Sequence, residues 1–324
     1  MYSFNESREI INNTIAKINL SDGPAELFDP IKYTLSTGGK RLRPALVLMS
    51  CDLFSGKIDK AIMPALGIEM FHNFTLLHDD IMDKSLIRRN KPTVHKKWNE
   101  NIAILSGDVM SILSYKYITK CNEEILPTVI DLFNQTAITV CKGQQYDMNF
   151  EALQVVTVDE YLNMIELKTS VLIAASNKLG ALIGGANQAD TDHMYNFGKN
   201  LGMAFQIQDD MLDVYGDLKN FGKKPCGDII ANKKTFLLVK ALEIASSEQK
   251  NRIYNQLKKK DFDPDEKINA ILSVYNELNI KDISIELIKE YLSKSKSDLE
   301  KVSPDDYKKE QLRDLFEILH NRNN

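Results

Sequence analysis

Residues 61–83 read AIMPALGIEMFHNFTLLHDDIMD, and this stretch decides the fold. Apolar residues recur at three- and four-residue spacing and cover nearly the whole circumference, which predicts a buried central helix. Outward from it, the same periodicity predicts helices at about 102–120, 124–148, 158–184 and 191–216. Period-two alternation is almost absent, so a sheet is not expected. None of the nine prolines falls between Pro127 and Pro225. Thr157 with Glu160 forms a capping-box pattern. Asp263-Pro264 with Glu266, and Ser303-Pro304 with Asp306, give two more helix starts. No linker, repeat or low-complexity tract interrupts the pattern, so one all-α domain over 1–324 is expected.

Composition narrows the function. The chain of 324 residues is 43% hydrophobic and 27% charged, with a formal net charge of -4. That balance gives no field for nucleic acid or an anionic membrane, so any basic patch is local. No run of about eighteen apolar residues predicts a membrane span, and the first residues do not read as a secretory signal. Cys51, Cys121, Cys141 and Cys226 are scattered without CxxC pairing, which argues against disulfides or zinc and fits a reducing cytoplasm.

The central stretch ends in His78-Asp79-Asp80-Ile81-Met82-Asp83, and about 130 residues later comes Gln208-Asp209-Asp210-Met211-Leu212-Asp213. Both are DDxxD. On a helix the first and last aspartates share a face and the second lies about 100° away. One acidic triplet is by default a solvated helix end. Here each closes an apolar run, and aspartate is disfavoured near a helix C-terminus. Two carboxylates about 4 Å apart repel by roughly 4 kcal/mol at an effective dielectric near 20. Such sets call for cations, and all-oxygen donors suit Mg²⁺ shared with substrate phosphates.

Three basic stretches accompany the triplets: Gly38-Gly39-Lys40-Arg41-Leu42-Arg43-Pro44, Arg88-Arg89-Asn90-Lys91-Pro92, and Lys223-Lys224-Pro225 through Lys233-Lys234. The first is a glycine turn opening into a helix, which would gather Lys40 and Arg43 at a helix N-terminus suited to anions. The arginine pair suits phosphate. Neither GxGxxG nor GxxxxGK[ST] is present.

With these marks, and with GQQYDM at 143–148, LKTS at 167–170 and QIQDDMLDVYGD at 206–217, the chain resembles the trans-isoprenyl diphosphate synthases, or polyprenyl synthetases. The resemblance implies a bundle of long antiparallel helices around a central cavity, commonly a homodimer, with the two triplets facing each other across its mouth. About three Mg²⁺ would be held chiefly by Asp79, Asp83 and Asp209, with Asp80, Asp210 and Asp213 supporting. Lys40, Arg43, His72 and Arg89 would hold isopentenyl diphosphate. Arg88, Lys168, Thr169, Gln206, Lys224 and Lys233 would meet the allylic diphosphate, with spacing favouring Lys224 over Lys223. Lys168, Thr169, Gln206 and Arg88 would carry the catalytic roles, and Gln144 and Asp147 would line the cavity. The implied reaction is ionisation, condensation and elimination.

Phe74, five residues before Asp79, lies about 7.5 Å below it along a helix, and Phe71 about 12 Å below. Phe74 can therefore act as a floor. An aromatic there, with the small Thr75 after it, resembles members that form geranylgeranyl diphosphate, so C20 is expected ahead of C15. A terpene cyclase would lack GGKRLRP and the second full triplet, and a non-catalytic subunit would have eroded aspartates. The chain departs from the family pattern at Asn90-Lys91 and at Asn232, where relatives often carry glycine.

Overall fold

A computed structural model describes residues 1–20, 23–216 and 226–320. Among them the architecture is all-α, relieved only by one two-stranded antiparallel hairpin. The chain divides into two compact units.

The first unit comprises Met1–Asn134, Ala175–Tyr195 and Lys301–Leu315. It contains α1 (Phe4–Ala16), α2 (Ala25–Ser36), α3 (Leu42–Ser55) and α4 (Asp59–Met82). The hairpin of β1 (Ile87–Arg88) and β2 (Lys91–Pro92) leads to α5 (Val94–Lys97) and α6 (Glu100–Ile118). The helix α7 (Leu126–Ala152) starts here. The predicted central helix is α4, whose Ala65, Leu66, Ile68, Met70 and Phe71 are buried. Each large apolar side chain so buried contributes about 1.5–3 kcal/mol. At Gly67, α4 crosses α6 so closely that a Cβ would sit 2.8 Å from the Ser114 carbonyl oxygen.

Glu69 is the exception on that apolar helix, and it is 2% exposed. Arg41 reaches it at 2.5 Å and also donates to the Leu35 carbonyl at 2.6 Å and to Asn12 at 3.2 Å. Asn73 Nδ2 donates to the same Glu69 carboxylate at 2.8 Å. A buried charge persists only with such partners. The pair therefore fixes the glycine turn before α3 against the central helix.

The second unit comprises Gln135–Ala174, Asn196–Glu300 and Phe316–Asn324. After the end of α7 come α8 (Val158–Ile165), a π-helical turn at Glu166–Ser170 and the start of α9 (Val171–Ile183). Most of α10 (Gln188–Tyr215) follows, then α11 (Gly227–Ile230), α12 (Phe236–Ile244), α13 (Ser247–Leu257), α14 (Pro264–Glu277) and α15 (Ile280–Lys301). Its core gathers Tyr161, Ile207, Phe236, Ile271 and Tyr275. The predicted caps hold: Thr157 and Glu160 cap each other's backbone, and Asp263 accepts from the Glu266 amide ahead of Pro264.

Two expectations change. The helix expected over 158–184 is broken by the π turn, which spacing does not reveal. The start expected at Ser303-Pro304 moves to α16 (Asp306–His320), because Asp190 accepts from both the Ser303 amide, at 2.8 Å, and its hydroxyl.

Candidate active site

In the first unit the basic residues collect around the end of α4. Gly38 and Gly39 have φ of 80° and 138°, and Arg41 enters α3 from a left-handed φ of 51°. A Cβ on Gly39 would lie 2.8 Å from the Arg89 guanidinium, so glycine admits both the torsion and the approach. Arg89 donates to the Gly38 carbonyl and to Thr37. Arg43 lies 3.2 Å from His72 Nε2; arginine only donates, so Nε2 accepts and the ring proton sits on Nδ1. Burial, then the Arg43, Arg89 and Arg88 charges, hold the imidazole well below its usual range, hence neutral. Lys40 is exposed at the mouth of the turn.

Asp80 is buried, while Asp79 is half-buried and Asp83, which caps α4, is exposed. Arg88 Nε donates to both Asp80 oxygens, at 2.8 and 2.9 Å. Burial pushes the Asp80 carboxyl up, and the Arg88 bond and charge pull it part of the way back. The middle aspartate thus anchors the first arginine of the pair.

In the second unit, Asp209 and Asp213 are half-buried and Asp210 is buried. Asp210 Oδ1 accepts from Gln206 Nε2 at 3.0 Å, and Oδ2 accepts from the Tyr161 hydroxyl and from the Phe236 amide at 3.1 Å. Burial, then the nearby Asp228 charge, raise this carboxyl to about 6. Asp213 accepts from the Asp228 amide at 2.9 Å, so the residues after the triplet are tied back to it. Lys233 is exposed, its amide held by the Asp228 carbonyl at 2.9 Å.

The π turn presents Lys168 and Thr169. Lys168 pairs with Asp147 at 2.6 Å, and Thr169 Oγ1 donates to Gln206 Oε1 at 3.0 Å. Two glycines let neighbouring backbone press against it. A Cβ on Gly143 would lie 2.3 Å from the Lys168 amide nitrogen, and one on Gly202 would lie 2.7 Å from Ser170 Cα. A side chain at either position would force a backbone shift, so the turn is built into its surroundings. Such turns occur often at functional sites.

Below Asp79 in the first unit stands an aromatic column. Phe74 packs 4.8 Å from His78 and 5.6 Å from Phe71, which meets Phe133 at 5.1 Å; Phe133 meets Tyr115 at 4.8 Å. Thr75 Oγ1 turns back to the His72 carbonyl at 2.8 Å.

Comparison with known proteins decides the family. Residues 24–275 match the sequence profile described as Polyprenyl synthetase. The chain belongs to the polyprenyl synthetase family. It is 39% identical over 275 residues to a geranylgeranyl diphosphate synthase of Sulfolobus acidocaldarius, covering 83% of each chain. It is 33% identical to a geranylfarnesyl diphosphate synthase of Natronomonas pharaonis, over 73% of this chain and 74% of the relative. A crystal structure of a geranylgeranyl pyrophosphate synthase superposes with a TM-score of 0.94 and 38% identity over 100% of both chains. The fold is that of the all-α isoprenoid synthases, and the protein is a prenyltransferase that elongates prenyl chains.

Within this polyprenyl synthetase, sequence reasoning missed several partners. Tyr161 and Phe133 sit in apolar periods and look like plain core, and the Phe236 amide leaves no signal. Glu69 did leave one: an acid on an otherwise apolar helix requires a buried cation. Lys224, expected on the allylic diphosphate, and Lys223 lie outside the described residues. The departures at Asn90 and Asn232 have a backbone cause. Their φ values are 60° and 57°, a region that asparagine enters more readily than most residues other than glycine, and Asn232 Nδ2 also donates to the Leu257 carbonyl at 3.1 Å.

The donor set fits the magnesium that the family implies. The aspartates offer only carboxylate oxygen, and Asp80 and Asp210 are already engaged by protein donors. Among the described residues no three carboxylate, imidazole or thiol groups gather to hold an ion alone. Mg²⁺ usually takes one or two carboxylates plus substrate phosphate, and the outer aspartates supply carboxylates of that kind.

Proposed function

We propose that the enzyme joins isopentenyl diphosphate head to tail with dimethylallyl, geranyl and farnesyl diphosphates, giving a C20 trans-prenyl diphosphate and releasing diphosphate. The observation that carries this reading is the second unit's combination of an acidic triplet with neutral oxygen dipoles. Gln206 sits one helical turn before Asp209 and Asp210 and accepts from Thr169 on the π turn, and the one cation on that turn, Lys168, is balanced by Asp147. That set suits a departing anion on one side and an allylic cation on the other.

Asp79, Asp83 and Asp209 would hold about three Mg²⁺, supported by Asp80, Asp210 and Asp213. The metal supplies positive charge to the leaving diphosphate. Arg88, Lys168, Lys224 and Lys233 add charge-assisted hydrogen bonds to it. Lys40, Arg43, neutral His72 and Arg89 hold isopentenyl diphosphate. The allylic C1–O bond breaks and the diphosphate departs with the electron pair. The isopentenyl double bond attacks C1, and the new cation loses a proton from C2 to the released diphosphate. Thr169 and Gln206 orient oxygen dipoles toward the cation and keep water from it. Gln144 and Asp147 complete the wall.

The whole chain is proposed to act as one synthase domain in the cytoplasm. No helix of the described residues is long and apolar enough to cross a membrane. A homodimer is supported by apolar side chains left exposed along α6: Ile104 at 44%, Leu105 at 55% and Ile112 at 69%.

Incubation with Mg²⁺, isopentenyl diphosphate and each primer, followed by chromatography, tests the reading. Condensation that stops with chelator supports it; no condensation with any primer overturns it. Phe74→Ala should lengthen the product by one or two isoprene units, since the ring is the floor; an unchanged product length removes Phe74 from that role.

A further inference from the structure

Tyr161 is 2% exposed, with its ring 6.4 Å from that of Phe236 in the second unit's core. Phenylalanine would fill that space without burying a hydroxyl, and an unpaired buried hydroxyl costs about 1–3 kcal/mol. The Tyr161 oxygen is therefore there for a bond, and its partner is Asp210.

The bond closes a chain. An ionised carboxylate only accepts, so Gln206 must turn its NH₂ toward Asp210. The Gln206 carbonyl oxygen is thereby aimed at Thr169, whose hydroxyl donates to it at 3.0 Å. The chain begins at Tyr161 on α8 and returns to Thr169 on the π turn that continues the same helix. With Oδ2 held by Tyr161 and Phe236 and Oδ1 by Gln206, the carboxylate cannot rotate without breaking a bond.

We propose that Tyr161 is a positioning residue for condensation, acting through Asp210 to fix the Gln206 amide so that its oxygen and that of Thr169 present a set dipole pair to the allylic cation. This rests on the reaction proposed above. Tyr161 touches no substrate; its effect reaches the cation through Gln206. Without its hydroxyl, Asp210 is held by one bond at each oxygen instead of three in all, and the amide that it orients is less firmly fixed.

The test compares wild type, Tyr161→Phe, Gln206→Ala and the double variant with Mg²⁺, isopentenyl diphosphate and geranyl diphosphate. Prenyl product and the alcohol formed when water captures the cation are both measured. Tyr161→Phe should lower kcat roughly 10- to 100-fold, the range of losing a hydrogen bond to a charged group. Both KM values should stay within about threefold, and the alcohol fraction should rise. In the Gln206→Ala background, Tyr161→Phe should cost nothing further, because residues acting as one unit are not additive. Wild-type kcat and alcohol fraction in Tyr161→Phe would overturn the inference, as would losses that multiply in the double variant.

If Tyr161→Phe does not fold, Asp210→Asn replaces it. Its amide cannot accept on both sides, so Gln206 must turn over and present its NH₂ rather than its oxygen to Thr169; a wild-type alcohol fraction there overturns the inference. Absence of condensation by wild type would instead overturn the proposed function and the inference together.

Discussion

The two DDxxD triplets are the same five-residue pattern, yet their middle aspartates are handled differently. Asp80 is gripped by a cation, Arg88, through two bonds from one nitrogen. Asp210 is held only by neutral donors: a tyrosine hydroxyl, a backbone amide and a side-chain amide. In both, helical geometry rotates the middle residue about 100° from its neighbours and into the protein. One motif therefore does two kinds of work: the outer carboxylates reach outward and the middle one organises the machinery beside it. In the first unit its neighbour is the Arg88 guanidinium; in the second it is the Gln206 side-chain amide.

The division can be broken most severely at the outer positions. Asp79→Ala and Asp209→Ala should each cut kcat/KM by about 10³-fold or more while the melting temperature barely moves. A drop under tenfold in either would remove that residue from metal binding. Next comes the contrast in stability. Asp80→Asn strands the half-buried Arg88 charge and should cost about 2–3 kcal/mol, below the loss seen for fully buried pairs because Arg88 remains 31% exposed. Asp210→Asn strands no cation and should cost about 1–2 kcal/mol in denaturant unfolding. Equal losses would erase the distinction.

The pH dependence sharpens it. Asp210 titrates near 6 when folded, above its unfolded value, so the folded state holds the extra proton between those values. Its contribution is fully present below about pH 4 and is lost as pH rises through 6, a change of roughly 2–3 kcal/mol. Metal-free wild type should therefore lose stability relative to Asp210→Asn between pH 4 and 7; parallel curves would contradict the buried placement. The smallest effect is expected for Arg88→Lys, about 1 kcal/mol, because lysine cannot reproduce the planar guanidinium on the Asp80 carboxylate.

The sequence made the outer aspartates, the glycine turn and the central helix legible because each is written in local spacing. Asp79 and Asp83 fall four apart, and Ala65 to Phe71 repeats an apolar period. The organising bonds are long-range and leave no such trace. Tyr161 lies 49 residues from Asp210, and Arg41 lies 28 from Glu69. The π turn adds a residue of phase that spacing does not announce, and Gly143 and Gly202 let neighbouring backbone pack against it. The Ser303 cap failed because a distant acid, Asp190, outcompeted the local one. Asn90 and Asn232 looked like changes of chemistry, yet both sit at a left-handed torsion that glycine also adopts.

Gly39 carries a consequence for variation. Its φ of 138° lies where side chains are strained, and the Arg89 guanidinium stands where a Cβ would go, pinned to Gly38 and Thr37. Asn90 requires only a left-handed torsion, whereas Asn232 also donates from Nδ2 to the Leu257 carbonyl at 3.1 Å. A randomised library selected for activity should return a mixture of glycine, asparagine and aspartate at 90, but a single letter at 39. The codon for Gly39 is thus a point of no drift in an otherwise forgiving surface loop.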